Sequence, residues 1–225
     1  MNRATRITVS AFGVLTGLAG IEHGVGEILQ GNSTPAGIMI LSWPDSTFFR
    51  ILGGEPAMTI VPNMMVTGML AILSSLCFLV WATLWVERKN AGPVLLLLSI
   101  VMLLVGAGIG PPVLGVILGL AATRIHASLT WWRTHLPAGL RRGLGQLWPW
   151  SLGAGLIAWL AMLPGTGILA YFFGVENPTL VYALVLCMFG LLFLTILTGF
   201  ARDSLRQPVS VSGAYRGGIS HALPR

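Results

Sequence analysis

The chain has 225 residues, of which 55% are hydrophobic and only 9% charged, with a mean hydropathy of +0.82. Soluble domains carry about 25% charged residues, so this composition excludes an ordinary soluble enzyme and describes an integral membrane protein. The net charge of +6 is concentrated in one set of chain connections. It therefore reads as a topology signal and not as a nucleic-acid footprint, and no nucleic-acid partner is expected.

A basic start with Arg3 and Arg6 leads into the first apolar stretch, predicted as a helix over 7–29. Such a start also describes a secretory signal, with Gly17-Leu18-Ala19 as a small-residue cleavage site, but the apolar run continues past it to Leu29. At about 100° per residue, Gly13, Gly17, Gly20 and Gly24 share one side of this helix. Their GxxxG spacings let another helix backbone approach closely. The seam offers a packing face to a helix of this chain, to a second copy or to another membrane protein. Thr16, His23, Glu27 and Gln30 edge the seam, and Glu22 points away from it. His23 and Glu27 are i,i+4 neighbours, expected to share a hydrogen bond. Ionisable groups at membrane depth are expensive and mark functional positions, which makes Glu22, His23 and Glu27 candidates for ligand or proton binding.

A long polar connection follows over 31–55, with Pro35, Pro44, Arg50 and Gly53-Gly54. Its apolar pieces, 37–41 and 48–52, are too short to span a bilayer. A loop of this length is functional or mobile, which reads as a lid over the bundle or an amphipathic surface segment. Further helices are expected over 57–86, 94–109, 113–132, 147–173 and 178–200. Gly110-Pro111-Pro112 separates the third from the fourth, and Pro164-Gly165 interrupts the fifth. A basic linker covers 133–146. The tail, 201–225, lacks apolar periodicity and is expected to be disordered and cytoplasmic.

The expected fold is thus all-α and polytopic, six transmembrane helices in a compact bundle over 1–200. Six spans put both termini on one side of the bilayer. Of the 13 Lys and Arg residues, all but Arg50 fall in the termini and in the two connections on the side of the termini. That asymmetry places both termini in the cytoplasm and the protein in a plasma (inner) membrane. Trp81, Trp85, Trp131, Trp132, Trp148 and Trp150 fall at the same predicted ends, as interfacial anchors do.

At about 1.5 Å per residue, His23 lies roughly 24 Å from Ile7, one turn deeper than Glu27 near the outer boundary. Asn63 and Thr67 from the second helix reach the same depth, and Arg50 and Glu55 come from the loop above. A polar cluster roofed by the loop is the candidate site. Cys77 and Cys187 sit in apolar runs and make no metal or redox motif. Lys89 is the only lysine, which excludes a Schiff base within the membrane. His126, His135 and His221 are all predicted at the inner end, so a metal would lack a third ligand, and no metal or cofactor is expected. The functional reading is a permease, channel-like or ligand-sensing protein with an outward-facing polar site on helix 1, His23 and Glu27 titrating with external pH. Its competitors are a non-catalytic membrane subunit that binds a partner helix through the glycine seam, and an intramembrane enzyme using His23 and Glu27 as an acid–base pair.

Overall fold

The computed structural model describes residues 1–175 and 177–206. The chain folds into helices α1 (Arg3–Leu29), α2 (Met64–Thr83), α3 (Ala91–Leu104), α4 (Gly110–Ala122), α5 (Thr130–His135), α6 (Ala138–Leu160), α7 (Thr166–Phe173) and α8 (Pro178–Arg206). A two-stranded antiparallel ribbon, β1 (Met39–Leu41) with β2 (Pro56–Met58), lies between α1 and α2. Four helical stretches are long and apolar enough to cross a membrane: α1, α2, the rod Ala138–Phe173 and α8. The α3 and α4 helices are apolar but shorter, at 14 and 13 residues. Large apolar side chains such as Leu73, Leu97, Ile157 and Leu186 stand exposed around the outside. Phe12, Phe78, Leu95, Leu118 and Leu192, one from each of five helices, are buried in a common core.

Several helices end elsewhere than the sequence pattern suggests. The third stops at Leu104 and not at Ile109, because Gly106 (φ 95°) and Gly108 (φ 79°) turn the chain through conformations that other residues avoid. The fourth then starts at Gly110 with proline in its first turn and ends at Ala122, ten residues before the expected 132. Residues 130–135 form the separate α5, and α6 begins at Ala138, inside the expected basic linker. Pro164 lacks a backbone donor, and the rod widens there into a π turn, Ala161–Gly165, before α7. The second helix starts at Met64, where Asn63 Oδ1 accepts from Val66 N (3.1 Å) as an N-cap. The last helix runs to Arg206, so 201–206 are helical and not part of a disordered tail; 207–225 lie outside the described residues.

The α1 helix is the most buried of the long helices and touches α2, α4, α6 and α8. Its seam glycines, Gly13, Gly17, Gly20 and Gly24, all meet α2 of the same chain. A methyl group on Gly13 would lie 2.4 Å from Ala82 Cβ, one on Gly17 2.8 Å from Leu79 Cβ, and one on Gly20 2.2 Å from Ser75 Oγ. Gly24 and Gly68 face each other backbone to backbone: a methyl on either meets the other's carbonyl oxygen, at 2.7 and 2.4 Å.

Hydrogen bonds tie the basic end of the bundle together. Asn2 N donates to Ile125 O (2.7 Å), His126 Nε2 donates to Glu87 O (2.7 Å), and Arg6 pairs with Glu87. Asn2 makes no side-chain cap on α1. That role falls to Asp203 of α8, buried, which accepts from Ala4 N (2.9 Å), Thr5 N (2.8 Å) and Thr5 Oγ1 (2.8 Å). Trp148 Nε1 adds a bond to Thr8 Oγ1 (3.0 Å). At the other end, the α1–α2 connection lies across the short α3–α4 hairpin: Ile60 N donates to Leu104 O (3.0 Å), and Thr59 bridges to Val105.

Overpacking a tight contact costs about 1–3 kcal/mol. Gly20→Leu and Gly24→Leu are therefore expected to lower the melting temperature in detergent, whereas Gly153→Leu, on α6 with nothing near its α-carbon, leaves it unchanged. Asp203→Ala strands two backbone donors in a buried place and is expected to lose on the order of 2–4 kcal/mol of stability; chemical denaturation in mild detergent measures it.

Candidate functional site

The site is built where α1 passes beneath the α1–α2 connection. In this stretch α1 must carry its polar groups past both the lid above and the α3–α4 turn beside it. Gln30 Nε2, in the last turn, donates to Leu41 O (2.9 Å) and Ser42 O (3.1 Å) and so holds the lid on the helix. Gly26 allows the same strand to lie flush, since a methyl there would sit 2.4 Å from Ser42 O. Trp43 stacks on Phe49 at 5.1 Å, and Phe48 meets Phe49 edge-on. Phe48 also fits over Gly167 of α7. The connection is therefore a folded cover attached to both halves of the bundle.

Beneath it Glu22, His23 and Glu55 come together, with one ligand-type atom from each within 4.8 Å of the others. His23 Nδ1 donates to the Ala19 carbonyl one turn earlier (3.0 Å), and lies 3.1 Å from Glu22 Oε2 and 3.6 Å from Glu55 Oε2. The His23 and Glu55 side chains are 7% and 5% exposed, and that of Glu22 26%, so water answers little of their polarity. Among the described residues, neither Glu22 oxygen nor Glu55 Oε2 finds a hydrogen-bond partner. Burial first, and the adjacent Glu22 carboxyl second, push the Glu55 carboxyl well above the usual carboxylate range. Glu55 reaches this position from a left-handed backbone (φ 59°), directly after the left-handed Gly53 and Gly54. A non-glycine residue there stores strain of about 1–3 kcal/mol.

Two cavities adjoin the cluster. One of about 200 Å³ is lined by His23, Glu55 and apolar side chains including Leu52, Leu114, Met162 and Met188. The other, of about 210 Å³, is lined by Glu22, Phe48, Phe49 and Pro164 among others. Both share Ala19, Trp159 and Leu163, so the cluster stands between them.

Glu27 belongs to a separate contact. It is fully buried, Oε1 accepts from Ser42 Oγ (3.2 Å), and its carboxyl lies against the backbone of Gly106. No hydrogen bond or ion pair joins it to His23 among the described residues; the imidazole turns toward Glu22 and Glu55, although Glu22 was placed on another side of the helix by its periodicity. Asn63, besides capping α2, donates to Asn32 and takes no part in the cluster. Arg50 is exposed in a 3-10 turn, Arg50–Leu52, and does not line the two cavities. Sequence reasoning placed Glu55 only in a general polar roof. The signal that singles it out is the Gly53-Gly54 pair, which turns the following residue inward.

Gly108 completes the wall. A methyl on it would lie 2.4 Å from His23 Nε2, so the imidazole rests directly on the α3–α4 turn. Fold and site together define a membrane-like helical bundle with a buried acid–imidazole cluster under a folded cover. No family model, curated protein or solved structure matches the chain.

The Gly108–His23 contact predicts a coupled pair of substitutions. Gly108→Ala alone is expected to lower the melting temperature, and His23→Ala is expected to relieve part of that loss when the two are combined. Losses that simply add would show that the two residues do not touch.

Proposed function

We propose that the chain is a six-pass membrane protein of a plasma (inner) membrane, both termini cytoplasmic, that captures a small ligand at the outer end of its bundle as the binding step of a permease or sensor. The observation that carries this reading is the pairing of two nearly buried polar side chains, His23 and Glu55, with a cavity of about 200 Å³ whose other walls are mostly apolar. Small-ligand sites have this make-up: a concave, largely apolar space with a few convergent polar groups. A buried ionisable cluster in a membrane span also marks ligand and ion pathways more often than structure alone.

Three features support the orientation. The described Lys and Arg residues other than Arg50 belong to the chain ends, to the connections at the end held by Asn2 and Asp203, and to the adjoining helix termini. The α3–α4 hairpin, though short, runs out and back between those connections, with the cover filling the space above its tip. Leu52 and Pro56 of that cover line the cavity directly, which makes the cover the barrier between cavity and exterior.

Cysteine accessibility tests both orientation and access. In a chain with Cys77→Ala and Cys187→Ala, a membrane-impermeant thiol reagent added to intact cells is expected to label Ser46→Cys and, more slowly, Leu52→Cys. Gly139→Cys, at the basic end, should react only in inverted vesicles. Labelling of Gly139→Cys from outside overturns the orientation, and a Leu52→Cys that reacts only after denaturation overturns the outward-facing site.

A further inference from the structure

We infer that Glu22, His23 and Glu55 form a binding site for one divalent first-row transition-metal cation, held between α1 and its cover with its remaining coordination positions open to the adjoining cavity. This names the ligand class of the site proposed above and rests on that reading for its access, not for its chemistry.

The geometry comes first. Ligand atoms about 2.1 Å from a metal in tetrahedral or octahedral array stand about 3.0–3.4 Å from one another. Glu22 Oε2 and Glu55 Oε2 lie 3.1 and 3.6 Å from His23 Nδ1, close to that spacing before any adjustment. One nitrogen and two carboxylate oxygens suit manganese, iron, cobalt or zinc; an imidazole ligand argues against calcium and magnesium, which prefer oxygen alone.

Charge balance points the same way. Two carboxylates and a neutral imidazole offset a divalent ion, leaving a neutral assembly in apolar surroundings. Among the described residues, the Glu55 oxygen Oε2 and both Glu22 oxygens are buried with no hydrogen bond, and Glu55 itself is only 4% exposed. Buried polar atoms in folded proteins nearly always have partners, and orphan carboxyl oxygens gathered beside one imidazole, with ligand atoms within 4.8 Å of one another, ask for a cation there. The third ligand comes from the cover and not from another helix, which is why no second histidine is needed at this end of the bundle.

The second coordination requirement is orientation. His23 Nδ1 donates to Ala19 O in the ion-free arrangement; on binding, the imidazole takes its Nε2–H tautomer so that Nδ1 gives its lone pair to the metal, and the proton held by the Glu22–Glu55 carboxyl pair leaves to solvent. Gly108 packs against the Nε2 side of the ring, and Nδ1 lies 3.1 and 3.6 Å from the two carboxyl groups. The first cavity begins at His23 and Glu55 and has room for water or a small donor to complete the shell.

The full chain, purified in detergent and stripped of metal with a chelator that is then removed, is titrated with Co²⁺ and followed by metal analysis and visible absorption. One Co²⁺ per chain is expected, displaced by Zn²⁺, with affinity lowered at least tenfold in Glu55→Gln and in His23→Gln but unchanged in Glu87→Gln at the opposite end. Zn²⁺ should also raise the melting temperature of the wild-type chain, a readout that stands if a variant fails to fold. Absence of bound cobalt, or equal binding by all three variants, overturns the site and leaves a carboxyl pair sharing a proton. Failure of the metal is separable from failure of the functional reading. Cobalt binding with Leu52→Cys shielded keeps the metal site and overturns outward access; Leu52→Cys labelling without cobalt does the reverse.

Discussion

Burying carboxyl groups in an apolar bundle is the constraint on which the outer half of this protein depends. Within two turns of α1 stand Glu22, His23 and Glu27, and an unanswered polar group in such a place costs several kcal/mol. The chain answers one oxygen of Glu27 with the Ser42 hydroxyl, and His23 with the Ala19 carbonyl and two carboxyl groups. Beyond α1 itself, the cover supplies Ser42 and Glu55, and the α3–α4 turn closes on the group with Gly106 and Gly108. The short hairpin and the long connection are thus two consequences of one need. A longer α3–α4 hairpin would occupy the space the cover fills.

Much of the helical framework was legible in the sequence because helices have a period. The wheel put Gly13, Gly17, Gly20 and Gly24 on one face, and they do share a neighbour, α2; which helix that would be depends on tertiary packing that a wheel does not contain. Periodicity also paired His23 with Glu27 and turned Glu22 away. The actual pairing follows side-chain direction: His23 reaches back toward its own preceding turn, where Ala19 O and Glu22 lie, while Glu27 turns outward to the cover. Glu55 is brought in by three consecutive left-handed residues, and such a turn leaves no repeating mark. Apolar content hid the break after Leu104 for a similar reason, since VLLLLSIVMLLVGAGI is hydrophobic on both sides of the turn. Gly106 and Gly108 were the visible sign of it.

Around this outer assembly the bundle has two packing groups, α1–α4 and α6–α8, joined through α1. The two cavities lie along their boundary: Leu114 stands on the first side, Trp159, Leu163 and Met188 on the second. The π turn at Ala161–Gly165 contributes Met162 and Leu163 to the wall. A single-turn widening of this kind changes the direction of the rod without breaking its apolar surface, and such turns recur at functional positions. Here it lets α7 swing over to receive Phe48 on Gly167, so the kink positions the second anchor of the cover.

Asp203 carries a different meaning when the chain is viewed in the order it is made. Ala4 and Thr5 leave the ribosome well ahead of the carboxylate that receives their N–H groups, which is 199 and 198 residues behind. Throughout synthesis, the opening turn of α1 must find temporary partners, in water or lipid head groups, and surrenders them only when α8 arrives. Closure of the first turn of α1 consequently waits for α8, and a nascent chain stopped before Asp203 leaves the Ala4 and Thr5 donors without their carboxylate.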